Sequence, residues 1–353
     1  MVDYNIQRVV HVMKKFSFII PVYNVPINLL DRGINALLSY KGNDIEVIII
    51  DDGSTNDVAA RCDYYLLDDR VIVFHQKNQG VSVARNVGIK NAKGDYIIFV
   101  DPDDYILDSI FSDFIKDDMS DVFIFDFVRE LSNGEKMKVY IGDRITKINS
   151  MEMIKNTLFC DNKYGKYLGG AVWAKAFKRK FLLDNNIVFD EKLRKAQDRV
   201  FMLDVYKLAH MVTYINICAY VYYENIESIC NKFNPGCAER NKMFLYAVKM
   251  KIKEMNLDVY TKQQMISKAF FLSYFEILYL DLFNIENEQT YFRRRMKAKQ
   301  EYMNMDMREM LENLSLKQCA SLSEKLKLFL IKNRCFFLLN VLIRTRQARR
   351  LKN

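Results

Sequence analysis

The run Glu46-Val47-Ile48-Ile49-Ile50-Asp51-Asp52-Gly53-Ser54-Thr55 passes without transition from branched apolar side chains to a polar turn. An apolar stretch with no polar alternation is what a strand buried on both faces of a parallel sheet requires. Runs of the same character recur at Phe16–Pro21, Val71–Phe74 and Tyr96–Val100, and helical patterns occupy Ile27–Leu38, Asp57–Leu67 and Val81–Asn91 between them. This order of strand and helix predicts an α/β fold built on a mainly parallel central sheet. Right-handed crossovers then bring the C-terminal ends of the strands to one edge, where such sheets bind their ligands.

The residues that end those strands are therefore the ones to read. Pro21-Val22-Tyr23-Asn24 follows the first strand, Asp51-Asp52-Gly53-Ser54-Thr55 the second, and Asp101-Pro102-Asp103-Asp104 the fourth. Carboxylates gathered on one edge repel unless a cation or donor groups offset them. Oxygen ligands of this kind suit Mg²⁺ or Mn²⁺ shared with a substrate phosphate. Taken singly, each stretch also reads as a capped turn. Arg85, on the predicted helix over Val81–Asn91, would reach the carboxylate edge or a ligand phosphate, and Ala84 and Gly88 are small enough to let that helix lie close to the sheet. Neither GxGxxG nor a phosphate loop ending in Gly-Lys-Ser/Thr is present, which disfavours dinucleotide and Walker-type sites.

Together, FSFIIPVYN, EVIIIDDGSTND and NQGVSVARNVGIKNAKGDYIIFVDPDD resemble the nucleotide-sugar-binding half of family 2 glycosyltransferases with the GT-A fold. The resemblance implies that Asp52 holds the nucleobase and that Pro21, Tyr23 and Asn24 frame the same pocket. It puts Asp101 near the ribose and Asp103, in the family's DxD position, on a Mn²⁺ or Mg²⁺ ion bridging the two phosphates. Arg85 completes the donor-side set.

Downstream, Gly169-Gly170-Ala171-Val172-Trp173-Ala174-Lys175 contains the only Trp, and Gln197-Asp198-Arg199-Val200-Phe201 resembles the family's Glu-Asp-x-x-Phe element, with Gln197 replacing the Glu. The resemblance makes Asp198 the catalytic base. Phe201, Met202 and Val205 recur at helical spacing, so Asp198 is expected at a helix start, where the dipole favours an ionised carboxylate. Trp173 and Lys175 are candidates for the acceptor site. Trp173 reads equally as a filler between sheet and second half, and Lys175 as a phosphate contact or a solvated lysine. Glu224 stands where the family usually has Arg, ahead of Glu227-Ser228-Ile229. The loop Asn156–Leu168 is expected to shape acceptor selectivity.

The implied activity is metal-dependent, inverting transfer from a nucleoside diphosphate sugar, most often a UDP-sugar, to a saccharide acceptor in cell-surface polysaccharide synthesis, with a lipid-linked acceptor plausible. A nucleotidyltransferase would show a Gly-rich phosphate loop after the first strand, which Pro21-Val22-Tyr23-Asn24 is not. A catalytically silent sugar-nucleotide-binding protein would keep Asp52 and Asp103 without the base.

The chain has 353 residues, half of them hydrophobic, with only 12 Gly and 4 Pro, which excludes disordered and fibrous classes. Its seven Cys include no CxxC pair, so free thiols in a reducing compartment are expected. The expected organisation is a catalytic domain over 1–235, divided into a donor half (15–110) and an acceptor half (111–235), followed by a basic helical region over 236–353. The net charge of +9 is unevenly placed: residues 1–235 carry 30 basic and 32 acidic side chains, and residues 236–353 carry 23 and 12. A neutral body argues against nucleic acid as partner. The stretch Lys325–Asn353 holds nine basic residues and no acid, so an anionic membrane surface is expected to engage 325–353, with ordinary packing of a solvated tail and an oligomer interface as the alternatives. Phe16–Val22 is too short for a signal-peptide core, and no run approaches the ~20 apolar residues of a membrane span. The expected location is the cytoplasm, peripheral on the inner face of the cell membrane.

Overall fold

The computed structural model describes residues 15–111, 120–142, 146–148, 150–159, 170–224, 233–319 and 321–350. The first seven elements alternate as the sequence predicts. They are β1 (Phe16–Val22), α1 (Ile27–Ser39), β2 (Ile45–Asp51), α2 (Asn56–Tyr64), β3 (Val71–His75), α3 (Val81–Asn91) and β4 (Tyr96–Phe99). The four strands lie in the order β3-β2-β1-β4, all parallel. The helix expected over Asp57–Leu67 ends at Tyr64 and tightens into a 3₁₀ turn over Tyr65–Leu67. Gly88 brings α3 down onto β1: a Cβ there would lie 2.4 Å from Ile19 Cγ2.

The sheet then grows by less regular pieces: β5 (Tyr105–Ile106), β6 (Val122–Leu131), β7 (Lys136–Val139) and β8 (Thr146–Ile148). After α4 (Ser150–Phe159) come β9 (Lys175–Lys178), α5 (Arg179–Asp184), α6 (Gln197–Leu208) and β10 (Val212–Glu224). β9 inserts antiparallel between β4 and β6, and β10 runs parallel to β6. The result is a ten-stranded mixed sheet, all parallel over β3-β2-β1-β4, with six of its strands running in one direction and four in the other. The reversal at β9 matters for the site. Since Ile97 faces Phe177 across that pair, the start of β9 at Lys175 lies beside the C-terminal end of β4.

The remaining chain is helical: α7 (Cys237–Glu254), α8 (Val259–Ile277), α9 (Tyr291–Met303), α10 (Met305–Asn313), α11 (Leu322–Lys332) and α12 (Phe336–Arg350). The period-two alternation of strand side chains feeds two apolar clusters. Val47 and Ile49 join the cluster that α1 and α2 cover. Ile48 and Ile50 join the other, which takes in α4 and α6 and continues through α7 and α8 as far as Ile343 in α12. The apolar core is thus continuous across residue 235.

Projected as one helix, Lys325–Arg344 gives an imperfect amphipathic pattern, and the structure shows why. Two helices occupy the stretch, and Arg334 between them adopts a left-handed backbone with φ 56°. Several of its cations are engaged within the fold. Lys332 Nζ donates to the carbonyls of Glu312 and Leu314, and Arg344 to those of Asn284 and Ile285. Among the described residues, no helix is long and apolar enough to cross a membrane.

Candidate active site

The loops that leave β1 and β2 are tied to each other. Asn24, in a left-handed conformation with φ 48°, accepts a hydrogen bond at Oδ1 from Thr55 N (2.8 Å), while its own N–H donates to Ser54 Oγ (3.1 Å). Short polar side chains tolerate that backbone region, so Asn24 suits the position. Pro21 lies within the buried end of β1, and Tyr23 projects outward, half-exposed.

The two neighbouring carboxylates at the end of β2, Asp51 and Asp52, do different work. Asp51 accepts from Ser54 N (2.9 Å) and pairs with His75 Nδ1 (2.8 Å). Burial works to raise its pKa, but the hydrogen bonds from Ser54 and His75 outweigh it, and the net shift is downward. The other side of the His75 ring meets Asp63 at 2.8 Å. Asp52 accepts from Gln76 Nε2 (2.7 Å), Gln79 N (2.8 Å) and Gly80 N (2.7 Å), so it shapes the loop leading into α3. A carboxylate has about four acceptor sites, and these three bonds leave room for one more donor. Gly80 meets the loop's demand for a positive φ of 95°.

At the end of β4, Asp101, Asp103 and Asp104 follow one another in a tight turn. Asp104 is fully buried and accepts from Tyr220 Oη (2.6 Å) and Tyr223 N (2.8 Å). The same Tyr220 hydroxyl accepts from Asp101 N (3.1 Å) and thereby locks the turn to β10. Asp103 has its carboxyl pushed up to about 6, first by burial and then by the charge of Asp101. Its carbonyl takes a hydrogen bond from Arg32 (3.0 Å), whose guanidinium lies against the rings of Tyr105 and Tyr223.

Arg85 joins the two halves of the chain. It is buried, donates through Nη2 to Asp101 (2.8 Å) and through Nη1 to Asp198 (2.5 Å), and rests over the Phe189 ring. Asp198 sits in the first turn of α6, as its helical pattern predicts, with Phe201, Met202 and Val205 buried beneath it. Burial raises its pKa, against the opposing charge of Arg85. The segment before it is braced by two consecutive side chains. Arg194 donates to Gln79 O (2.7 Å), and Lys195 pairs with Glu276 of α8 (2.5 Å). Ala196, immediately after them, is left-handed, with φ 53°.

Lys175 is not a solvated surface lysine: β9 runs inside the sheet, and the side chain is fully buried, donating to Ala171 O (2.7 Å). Burial pulls its pKa down to about 7, and the charge of Asp198 only partly restores it. Trp173 stacks on Tyr220 and Tyr222 and meets Phe127 edge-on, with only 7% of its surface exposed. Its surroundings are those of the filler between sheet and second half rather than of an open sugar platform. Glu224, which stands where Arg was expected, forms an ion pair with Arg129 of the neighbouring strand. Gln197 opens α6. His11, residues 160–168 of the expected acceptor loop, Gly169 and Glu227-Ser228-Ile229 lie outside the described residues.

The expected crowding of five acids on one edge takes a particular form. Four of them hold protein donors of their own, and the donors include residues that carry no motif. Tyr220 and His75 supply two of these donors, and Arg32 holds the Asp103 carbonyl; a tyrosine within a strand and an arginine within a helix look ordinary in sequence.

Residues 17–182 match the profile of "Glycosyl transferase family 2". The chain is 32% identical over 225 residues to "Uncharacterized glycosyltransferase EpsJ" of Bacillus subtilis, covering 60% of this chain and 62% of that protein. It is 26% identical over 290 residues to "Cholesterol galactosyltransferase" of Borreliella burgdorferi, covering 78% of this chain and 79% of that one. The chain thus spans under two thirds of the length of the first of these relatives. In overall shape it resembles the crystal structure of Staphylococcus aureus TarS 1-349 in complex with UDP-GlcNAc. The TM-score is 0.66 at 18% identity, with 95% of this chain and 92% of that one covered. The fold is therefore that of the GT-A class, and residues 17–182 are similar to glycosyl transferase family 2.

Proposed function

We propose that this protein transfers a sugar from a UDP-sugar to a hydroxyl of a saccharide acceptor, with inversion at the anomeric carbon, in the synthesis of a cell-surface polysaccharide. The observation that carries the proposal is the Arg85 bridge, which brings Asp198 of the second half to Asp101 at the end of β4. A candidate base and the donor-side carboxylates therefore share one edge of the sheet.

In this reading Asp52, with one acceptor site to spare, holds the nucleobase in a pocket framed by Pro21, Tyr23 and Asn24. The acid turn suits a divalent cation: Asp103 is crowded by Asp101 and half-withdrawn from water. Among the described residues, no three acidic, His or Cys side chains form a complete cage. Asp103, with Asp101 beside it, would hold Mn²⁺ or Mg²⁺. Such an ion, when bound, supplies Lewis-acid stabilisation of the leaving diphosphate. Arg85 keeps Asp101 and Asp198 in register. Asp198, its proton affinity raised by burial, takes the proton from the acceptor hydroxyl as that oxygen attacks the anomeric carbon opposite the diphosphate. A raised carboxyl pKa strengthens a general base. The acceptor is a saccharide carried on a lipid.

The test is diphosphate release from a panel of nucleotide sugars with Mn²⁺, with EDTA, and in Asp103→Ala and Asp198→Asn variants. EDTA and Asp103→Ala should abolish release together. Asp198→Asn should slow transfer by roughly 10²–10⁴ while leaving donor binding by calorimetry intact. Undiminished release in both variants would sink the assignment.

A further inference from the structure

Helices α11 and α12 are apolar on two sides. Their inner faces, through Leu328, Ile331, Leu339 and Ile343, belong to the continuous core. Their outer faces present Leu322, Leu326 and Phe329 on α11 and Phe337, Leu338 and Val341 on α12, each at least 45% exposed. On α11 these fall at i, i+4 and i+7, one stripe of the helix. Both inner faces enter the same core, so both outer faces point away from it.

The charge of this surface has one sign. From Lys325 to Arg350 there is no acid, and Glu324, just before, is engaged by Lys268 at 2.6 Å. Lys332 and Arg344 are committed to backbone carbonyls, whereas Lys325, Arg346 and Arg349 are exposed on the outer side. Basic side chains continue onto α9. There the Tyr291 ring meets Phe337 edge-on at 5.9 Å, and Arg293, Arg295, Lys297 and Lys299 are exposed.

We infer that the outer faces of α11 and α12 form a docking surface for an anionic lipid bilayer, with the exposed Leu and Phe side chains entering the interface and Lys325, Arg346 and Arg349 meeting lipid phosphates. Apolar side chains ringed by cations fit the boundary between acyl chains and anionic headgroups. A second copy of the chain fits poorly, because a two-fold contact sets a patch against itself and would here oppose cation to cation. The surface lies on the membrane and does not cross it: the two helices have 11 and 15 residues, short of the ~20 a span needs. This inference goes beyond the glycosyl-transfer reading and stands or falls apart from it.

Co-sedimentation of the full chain with vesicles of phosphatidylcholine alone, and of phosphatidylcholine with phosphatidylglycerol, tests it directly. The protein should pellet with the phosphatidylglycerol vesicles, weakly with the neutral ones, and less as salt is added. Changing Lys325, Arg346 and Arg349 to Gln should weaken the anionic-vesicle affinity roughly fivefold per cation removed. Phe337→Ser with Leu338→Ser should lower binding at every salt concentration. Both residues are solvent-facing, so a thermal melt matching the parent shows that the fold is retained. The inference is overturned if the parent stays in the supernatant with phosphatidylglycerol vesicles, or if both variants bind as the parent does. It is equally overturned if light scattering finds a dimer that the Ser variant dissolves, since the surface would then serve a second copy.

Discussion

Arg85 Nη1 lies 2.5 Å from Asp198 Oδ1 and Nη2 lies 2.8 Å from Asp101 Oδ1, so one buried guanidinium holds two acids 97 positions apart in the chain. Removing one partner of a buried ion pair leaves the other charge uncompensated. Arg85→Met is expected to cost about 3–5 kcal/mol in urea unfolding, and adding Asp198→Asn should recover part of the loss. A four-variant cycle measures this. A loss below about 1 kcal/mol, the worth of an exposed pair, would show that the acids do not depend on Arg85.

Tyr220→Phe removes the hydroxyl that donates to Asp104 and accepts from Asp101 N. Leaving the buried Asp104 one donor short should cost about 1–3 kcal/mol. The turn that carries Asp103 should also loosen, and calorimetry should find weaker UDP binding in the presence of Mn²⁺. If stability falls while UDP affinity stays at the parent value, the turn does not contact the diphosphate.

His75 stands between Asp51 and Asp63, and its hydrogen bonds to them, Asp51 first, raise its pKa above the ordinary 6.5. The folded state therefore holds the His75 proton more tightly than the unfolded one. The resulting stability is fully present below pH 6.5 and is lost as the pH climbs through the folded value. Thermal melts of His75→Gln should lack this decline. The ring is partly exposed, so the difference should shrink in high salt.

Lys175 shifts the other way, from 10.5 to about 7, because burial penalises its ammonium. Between those values the unfolded chain binds the extra proton, so parent stability should rise from about pH 7 toward pH 10.5. Lys175→Met, which is free of the buried charge, should be more stable than the parent at pH 6, with the gap narrowing as the pH rises. A constant gap across that range would mean that Lys175 stays in one protonation state throughout.

The fold of the first ninety or so residues was legible because every signal there is local. Buried strands advertise themselves by composition, and the turns after them by Asp, Gly and Asn. The helix start at Gln197-Asp198 could likewise be read from the spacing of Phe201, Met202 and Val205. What escaped was set by pairing across distance. Nothing local to Lys175 says that β9 inserts backwards between β4 and β6 and buries its first side chain. The Glu224–Arg129 pair, which accounts for an acid where arginine was expected, depends on the register of two strands far apart in the chain. The split of 325–350 into two helices turns on one residue, Arg334, whose left-handed backbone no periodicity foretells.

Because a single apolar cluster runs from Ile19 in the central sheet to Ile343 in α12, the helical region is not an appendage that can be trimmed away. Cutting the chain before Cys237 would bare the faces of α4 and α6 to water and strand Lys195 without Glu276, the brace behind the Asp198 turn. In the intact chain, amide protons of α8 and of the strand residues packed in the same cluster are expected to exchange through a shared opening event. A substitution on the inner face of the helical region is therefore expected to be felt in the sheet that carries the candidate site.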